Sequence, residues 1–333
     1  MQPLERLEFD AAELADAFPP LWRHERKDLV AKFVDAAVPH PSGRVVYARW
    51  PEQALPDALG VPRPFVVKRG VFDYRPAAST DLAASPEADL PGLEWHANFA
   101  DPHLFCAYGT ALLAQDELQV LEHSTLASIR EALLARQLPA VTVDAAGRAT
   151  PVTVLGVERR AAFDTLPNVA AGRPRGLYGN LFAAAPANDI LAATTPLQPP
   201  TRSNIVAMAA PSGGRGAYRR DEITAIATTA YTAFLATVVA SRESGVRRSI
   251  VHTGFWGCGA FGGNRTLMTI LQALAAELAG VDVVYHAFDT SGIATATDAA
   301  ATYRRLRSSA QSVADVIDAV LSLGLNWGIV DGN

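Results

Sequence analysis

The chain has 333 residues, 49% of them hydrophobic and 19% charged, with a net charge of −5; this suits one large globular domain, or one domain with an accessory region. No run of lysines and arginines interrupts that balance, which argues against a nucleic-acid backbone as partner. Two cysteines, Cys106 and Cys258, are too few for a disulfide framework, and the lack of a basic-then-apolar leader or of about 18 uninterrupted apolar residues gives the expectation of a cytoplasmic protein that does not engage a membrane.

Residues 1–70 hold one amphipathic stretch, Arg26–Ala37, and then Pro39, Pro41, Pro51, Pro56, Pro62 and Pro64. They read as an accessory region, mainly helical with extended connections. From about Phe65 apolar strands alternate with helices, so residues 71–333 are expected to form an α/β domain with a mixed or parallel sheet flanked by helices. Gln115 opens a helical pattern carried by Leu118, Leu121, Leu126 and Ile129. Strands are predicted at Ala140–Val143, Val152–Val157 and Asn204–Ala209, and loops at Pro186–Arg202 and Pro211–Gly216.

A long helix is predicted over Asp221–Ser241, with Asp221 and Glu222 complementing its dipole. The strand Ile250–His252 leads into a glycine-rich loop. The helix Arg265–Ala279 follows, with Leu267, Ile270, Leu271, Leu274 and Leu278 on one face, Asn264 as N-cap and Gly280 as stop. Val281–Phe288 completes a βαβ unit as a buried strand, and Ala310–Leu323 reads as a closing helix. No internal repeat is present.

The loop carries Gly254, Gly257, Gly259, Gly262 and Gly263 at the carboxyl end of a strand and the start of a helix. Backbone N–H groups there attract anionic oxygens, and glycine lets the main chain approach closely, so a nucleotide or diphosphate is the expected ligand. The spacing fits neither a P-loop nor the usual dinucleotide fingerprint. The interleaved Phe255, Trp256, Cys258 and Phe261 are the specific signal, since aromatics beside such a loop can wall a ribose or base. Cys258 itself reads as a small packing residue rather than a nucleophile.

This string, Thr253–Gly263, resembles the diphosphate-binding loop of the poly(ADP-ribose) glycohydrolases, which have a macrodomain-type α/β fold. In that family a D-F-A-N element and a triple glycine precede a Q-E-E motif whose last Glu protonates the departing ribose oxygen. Here Asn98-Phe-Ala-Asp101, Phe105-Cys-Ala107 and Gln115-Asp-Glu117 lie over those elements without a gap. The resemblance spans roughly Gly92–Phe288, strongest in the loop.

By spacing alone, Asp116 and Glu117 at a helix start are surface acids that complement the helix dipole. The resemblance assigns Glu117 as general acid and then base, with Asp116 assisting. It assigns Gln115, Asn98, Phe99 and Asp101 to nucleotide contacts, and Gly254, Trp256, Gly257, Cys258, Gly259, Ala260, Phe261 and Gly262 to the diphosphate. Tyr178, in Gly176–Gly179, lies where the family has a loop over the adenosine side, or is a turn residue; Phe288 lies at a family aromatic, or is a core ring.

The chemistry stands on its own terms: cleavage at an anomeric carbon passes through an oxocarbenium-like state, and its leaving oxygen needs a proton from a carboxylic acid of raised pKa. Phe105-Cys106-Ala107 in place of glycines is expected to narrow or reshape the pocket. The readings are therefore a hydrolase of ADP-ribosyl groups with altered scope, a module that binds ADP-ribose without cleaving it, or a glycosidase acting on a free NAD-like nucleotide. None needs a cofactor, and His96, His103 and His252 flank the motifs without metal-ligand spacing, so no metal is expected.

Overall fold

Leu7 and Phe9 alternate with Glu8 and Asp10 near the start of the chain, and this period of two makes a half-buried strand. In the computed structural model, which describes residues 1–78 and 80–329, the chain runs β1 (Glu5–Asp10), α1 (Ala11–Ala17), α2 (Glu25–Ala37), β2 (Arg44–Arg49), β3 (Phe65–Arg69), β4 (Gly92–Ala100), α3 (Gln115–Glu122), α4 (Thr125–Ala135), β5 (Val152–Phe163), α5 (Leu181–Ala184), α6 (Ala187–Ala192), β6 (Thr194–Ala209), α7 (Arg220–Glu243), β7 (Arg248–Thr253), α8 (Arg265–Ala279), β8 (Asp282–Ala287), α9 (Thr290–Ser309) and α10 (Val313–Leu321). Residues 330–333, the end of the expected domain, lie outside the described residues.

One mixed sheet of eight strands runs in the order β1-β2-β5-β6-β4-β7-β8-β3. Its parallel part is β6-β4-β7-β8-β3, with His96 of β4 opposite both Ile205 of β6 and His252 of β7. The rest is antiparallel. The carboxyl ends of β4, β6, β7 and β8 share one edge, the place where open α/β sheets bind ligands.

Helices cover both faces. Trp95, Met208, Val251 and Tyr285 pack against α7, α8, α9 and α10, while Ile205, Ala207, Val152 and Val154 pack against α1, α3 and α4. The stripe of α8 puts Leu267, Ile270, Leu271 and Leu274 out of water, each contributing about 1.5–3 kcal/mol. Asn264 caps this helix by accepting from Leu267 N, and Gly280, at φ +76°, ends it. By length and composition α7 could cross a membrane, yet its apolar residues are buried against the sheet and α8.

Several sequence expectations are corrected. Residues 1–70 supply α1 and α2, but also β1, β2 and β3 to the common sheet. Pro186–Arg202 is no loop: it holds α6 and the first part of β6, paired with β5 as Phe163↔Thr194 and Ala161↔Pro196. Prolines are tolerated there because β4 pairs only with the later residues of β6, so the outer edge of this extension needs no ladder donors. Ala140–Val143 forms isolated bridges, His103↔Val141 and Val143↔Ala149, rather than a strand. The pattern from Gln115 to Ile129 is two helices, broken at His123 and Ser124, and α9 had no counterpart in the expected elements.

Candidate active site

The carboxyl end of β4 positions the acidic motif. Asn98 sits on the same face of this strand as Glu94 and His96, and its Nδ2 donates to Asp116 Oδ1 at 3.0 Å. Gln115, the first residue of α3, straps that helix to the strand: Phe99 N donates to Gln115 Oε1 at 2.7 Å, and Gln115 Nε2 donates to Ala97 O at 2.9 Å. Tyr178 adds a third tie, its hydroxyl accepting from Gln115 N at 3.1 Å.

Asp116 and Glu117 are 6% and 4% exposed, so they are not the surface acids that spacing alone suggests. Glu117 Oε2 accepts from Ala114 N at 3.0 Å, closing the first turn of α3. Burial pushes both carboxyls up; the charge of Lys27 pulls both back, and the bond from Asn98 also lowers Asp116. Lys27, on α2 and fully buried, donates from Nζ to Tyr108 O at 2.6 Å, and its own pKa falls to about 8 because burial disfavours its charge. Two acids and one cation thus share a buried space in which at least one acid retains a proton near neutrality.

Phe99 links this cluster to the glycine loop: a methyl group built on Gly254 would lie 3.6 Å from Phe99 Cζ. The loop lies at the carboxyl end of β7, the neighbour of β4. Its glycines are needed by the backbone. Gly257, at φ +73°, has no room for a side chain, since a Cβ would fall 2.5 Å from Ala210 Cβ. The turn closes through Gly263 N to Gly257 O at 2.8 Å and Gly262 N to Gly259 O at 3.0 Å.

The other members divide. Ala260 is exposed and Gly259 is half-buried, while the half-buried Phe261 packs against the core under the loop. Trp256 corrects the expectation of an aromatic wall: it is fully buried and its Nε1 donates to Met208 O at 3.0 Å, so the indole supports the loop from the core. Phe255 is likewise core, edge-on to Tyr285. Cys258 Sγ contacts Trp256 O at 3.5 Å and burial pushes its thiol up to about 12, the profile of a packing residue. Phe288 is 53% exposed just past β8, which removes the core-ring reading.

Asp101 stands apart from the buried pair, its Oδ1 accepting from His103 N at 2.8 Å, although its charge raises both acids. Phe105 overturns the expectation that a side chain there narrows the pocket. Its backbone has φ +52°, the left-handed region that glycine adopts freely, and its ring turns into the core beside Leu104, Val120 and Ile129.

Sequence reasoning did not find Lys27, whose helical stripe gives no hint of a partner 90 residues on. It named His96 and His252 only as flanking the motifs, and it did not find the buried row that they form with His123 and His286. His96 stacks on His252 at 4.5 Å, His252 Nδ1 meets His286 Nε2 at 3.0 Å, and His252 Nε2 meets Glu94 Oε2 at 2.6 Å. Phe72 and Tyr74 roof the row. The period-two spacing of Glu94, His96 and Asn98 on one strand was the available signal. Among the described residues no group of three or more His, Cys, Asp or Glu is arranged to hold a metal ion.

Residues 178–295 match the family described as poly(ADP-ribose) glycohydrolase (PARG), Macro domain fold. The match holds the glycine loop and begins beyond the acidic helix. Among solved structures, the chain is similar to PARG from Thermomonospora curvata at 18% identity and a TM-score of 0.41, over 88% of this chain and 97% of that one. It is also similar to PARG from the same organism bound to the inhibitor ADP-HPD, at 17% identity, a TM-score of 0.41 and coverage of 90% and 84%. PARG from Deinococcus radiodurans in complex with ADP-ribose is 14% identical, with a TM-score of 0.38 and coverage of 91% and 94%.

Proposed function

We propose that this chain, which carries the poly(ADP-ribose) glycohydrolase family's macrodomain pattern over residues 178–295, is a hydrolase that cleaves a glycosidic bond of an ADP-ribosyl group. The observation that carries the reading is the placement of the acid pair and the glycine loop at the ends of adjacent strands, joined through Phe99. One end of a nucleotide diphosphate sits on the amides of Gly254–Gly262, and its distal ribose faces α3.

Burial holds the Glu117 carboxyl above its ordinary pKa, which favours the protonated form that a general acid needs. Glu117 donates that proton to the departing oxygen as the anomeric C–O bond breaks, and the resulting carboxylate takes a proton from the water that attacks the anomeric carbon. Asp116, held by Asn98, orients ribose hydroxyls. Lys27 balances the two acids, so that one can ionise while the other keeps its proton. Contact with substrate requires local opening, since Glu117 is 4% exposed.

Incubation with poly(ADP-ribose), with mono-ADP-ribosylated proteins and with NAD, followed by product analysis, tests the reading and separates its substrate classes. Release of ADP-ribose supports it. A second reading, binding without cleavage, is favoured by that same burial of Glu117 and its bond to Ala114 N; calorimetric binding of ADP-ribose with no product from any of the three substrates selects it.

A further inference from the structure

The segment that follows α10 returns to the glycine loop. Gly328 N donates to Gly262 O at 2.8 Å, and Asn264 Nδ2 donates to Asn326 O at 2.9 Å. Between these two ties, Trp327 N donates to Gly216 O at 2.8 Å, in the loop after β6. One short stretch, 326–328, thus holds the loops after β6 and β7, which lie at the same carboxyl edge of the sheet.

The half-buried Trp327 indole stacks on Tyr218, with ring centroids 4.4 Å apart and planes at 26°. The Gly214 backbone packs against it so closely that a Cβ there would overlap the indole. Tyr218 is buried, and its hydroxyl accepts from Asn264 N at 2.9 Å. Two successive peptide units are therefore pinned from outside the loop. In the first, Gly263 N donates to Gly257 O while Gly262 O accepts from Gly328; in the second, Asn264 N is taken by Tyr218. Glycine peptides turn easily, and one that turned its carbonyl into an anion cradle would set a negative dipole end against the ligand. Fixing them beforehand removes that cost from binding.

We propose that Trp327 is a positioning residue of the diphosphate cradle: stacked on Tyr218 and carried between the ties of Asn326 and Gly328, it holds the peptides from Gly262 to Asn264 so that the loop presents amides rather than carbonyls to a nucleoside diphosphate. The inference rests on the reading of Gly254–Gly262 as a diphosphate site. It adds to that site a residue distant in sequence that touches no ligand. A side chain that only packs there would change stability and leave the affinity of the folded protein as it was.

The test measures ADP affinity of the full chain by calorimetry, and kcat and KM for ADP-ribose release from poly(ADP-ribose). ADP has the diphosphate but no distal ribose, so its affinity reads the glycine loop rather than the acids of α3. Trp327→Ala is expected to weaken ADP at least tenfold and to raise KM by a similar factor, with kcat within twofold of the parent. Trp327→Phe keeps a ring on Tyr218 and is expected to bind ADP within threefold of the parent. Asn264→Ser retains an acceptor to cap α8 but cannot reach Asn326 O; it weakens ADP at least threefold, and it decides the matter if Trp327→Ala does not fold. Parent-like ADP affinity in Trp327→Ala or Asn264→Ser, a loss confined to kcat, a Trp327→Phe variant no better than Trp327→Ala, or a parent that binds no ADP overturns the proposal. A parent that binds ADP but releases no ADP-ribose ends the hydrolase reading alone, and the ADP affinities still decide the role of Trp327.

Discussion

Asn98 Nδ2 donates to Asp116 Oδ1 at 3.0 Å, joining two buried side chains at the end of β4 and the start of α3. The bond favours the ionised acid, so it opposes the burial that raises Asp116. Asn98→Ala removes it and leaves a buried carboxyl oxygen unpaired, at a cost of about 1–3 kcal/mol. Denaturant titration of this variant is expected to show that loss with an unchanged slope; a stability equal to the parent's contradicts the role given to the pair.

Phe105 sets two effects against each other. Its left-handed backbone costs about 1–2 kcal/mol that glycine would recover, while its fully buried ring is worth about 3–5 kcal/mol. Packing wins, so Phe105→Gly is expected to destabilise by roughly 2–3 kcal/mol in chemical denaturation. A more stable variant would show that the ring is not seated in the core.

Lys27 lowers both acids of the motif through its charge. Lys27→Met therefore lets Glu117 hold its proton to higher pH, and the alkaline limb of the pH–rate profile for ADP-ribose release moves upward. An unmoved or lowered limb means that the lysine does not act on the acid.

Burial pushes the imidazole of His123 down to about 3, and its Nδ1 is engaged by Gln119 O at 2.8 Å. A base whose folded pKa is depressed contributes stability that is full above its unfolded value, about 6.5, and is lost as pH falls from there toward 3. Raised acids such as Asp116 act in the opposite sense, so the comparison is with a variant in which they are unchanged. The stability deficit of His123→Gln relative to the parent should shrink by about 1.4 kcal/mol per pH unit below 6.5, measured by chemical denaturation at pH 7.5, 6.5 and 5.5. A constant deficit means that His123 is not buried neutral.

Local chemistry made part of this molecule legible in the sequence. The stripe and caps of α8 gave its limits, Arg265–Ala279, and the glycine pattern of the loop after β7 was legible because Gly254, Gly257 and Gly263 stand where a tight turn leaves no room for Cβ atoms. Trp256 was misread because a sequence does not tell which side of a loop faces the core. The extension of β6 was hidden by prolines that an unpaired edge tolerates, and Lys27 and the histidine row arise from contacts between distant segments that no local period encodes.

The most direct measurement compares the parent with Glu117→Gln, following ADP-ribose release from poly(ADP-ribose) and ADP-ribose affinity on the same samples. The amide keeps the shape of the side chain and removes its proton chemistry. Release is expected to vanish while affinity stays within about tenfold, 1.4 kcal/mol. Undiminished release from the Glu117→Gln variant would contradict the account.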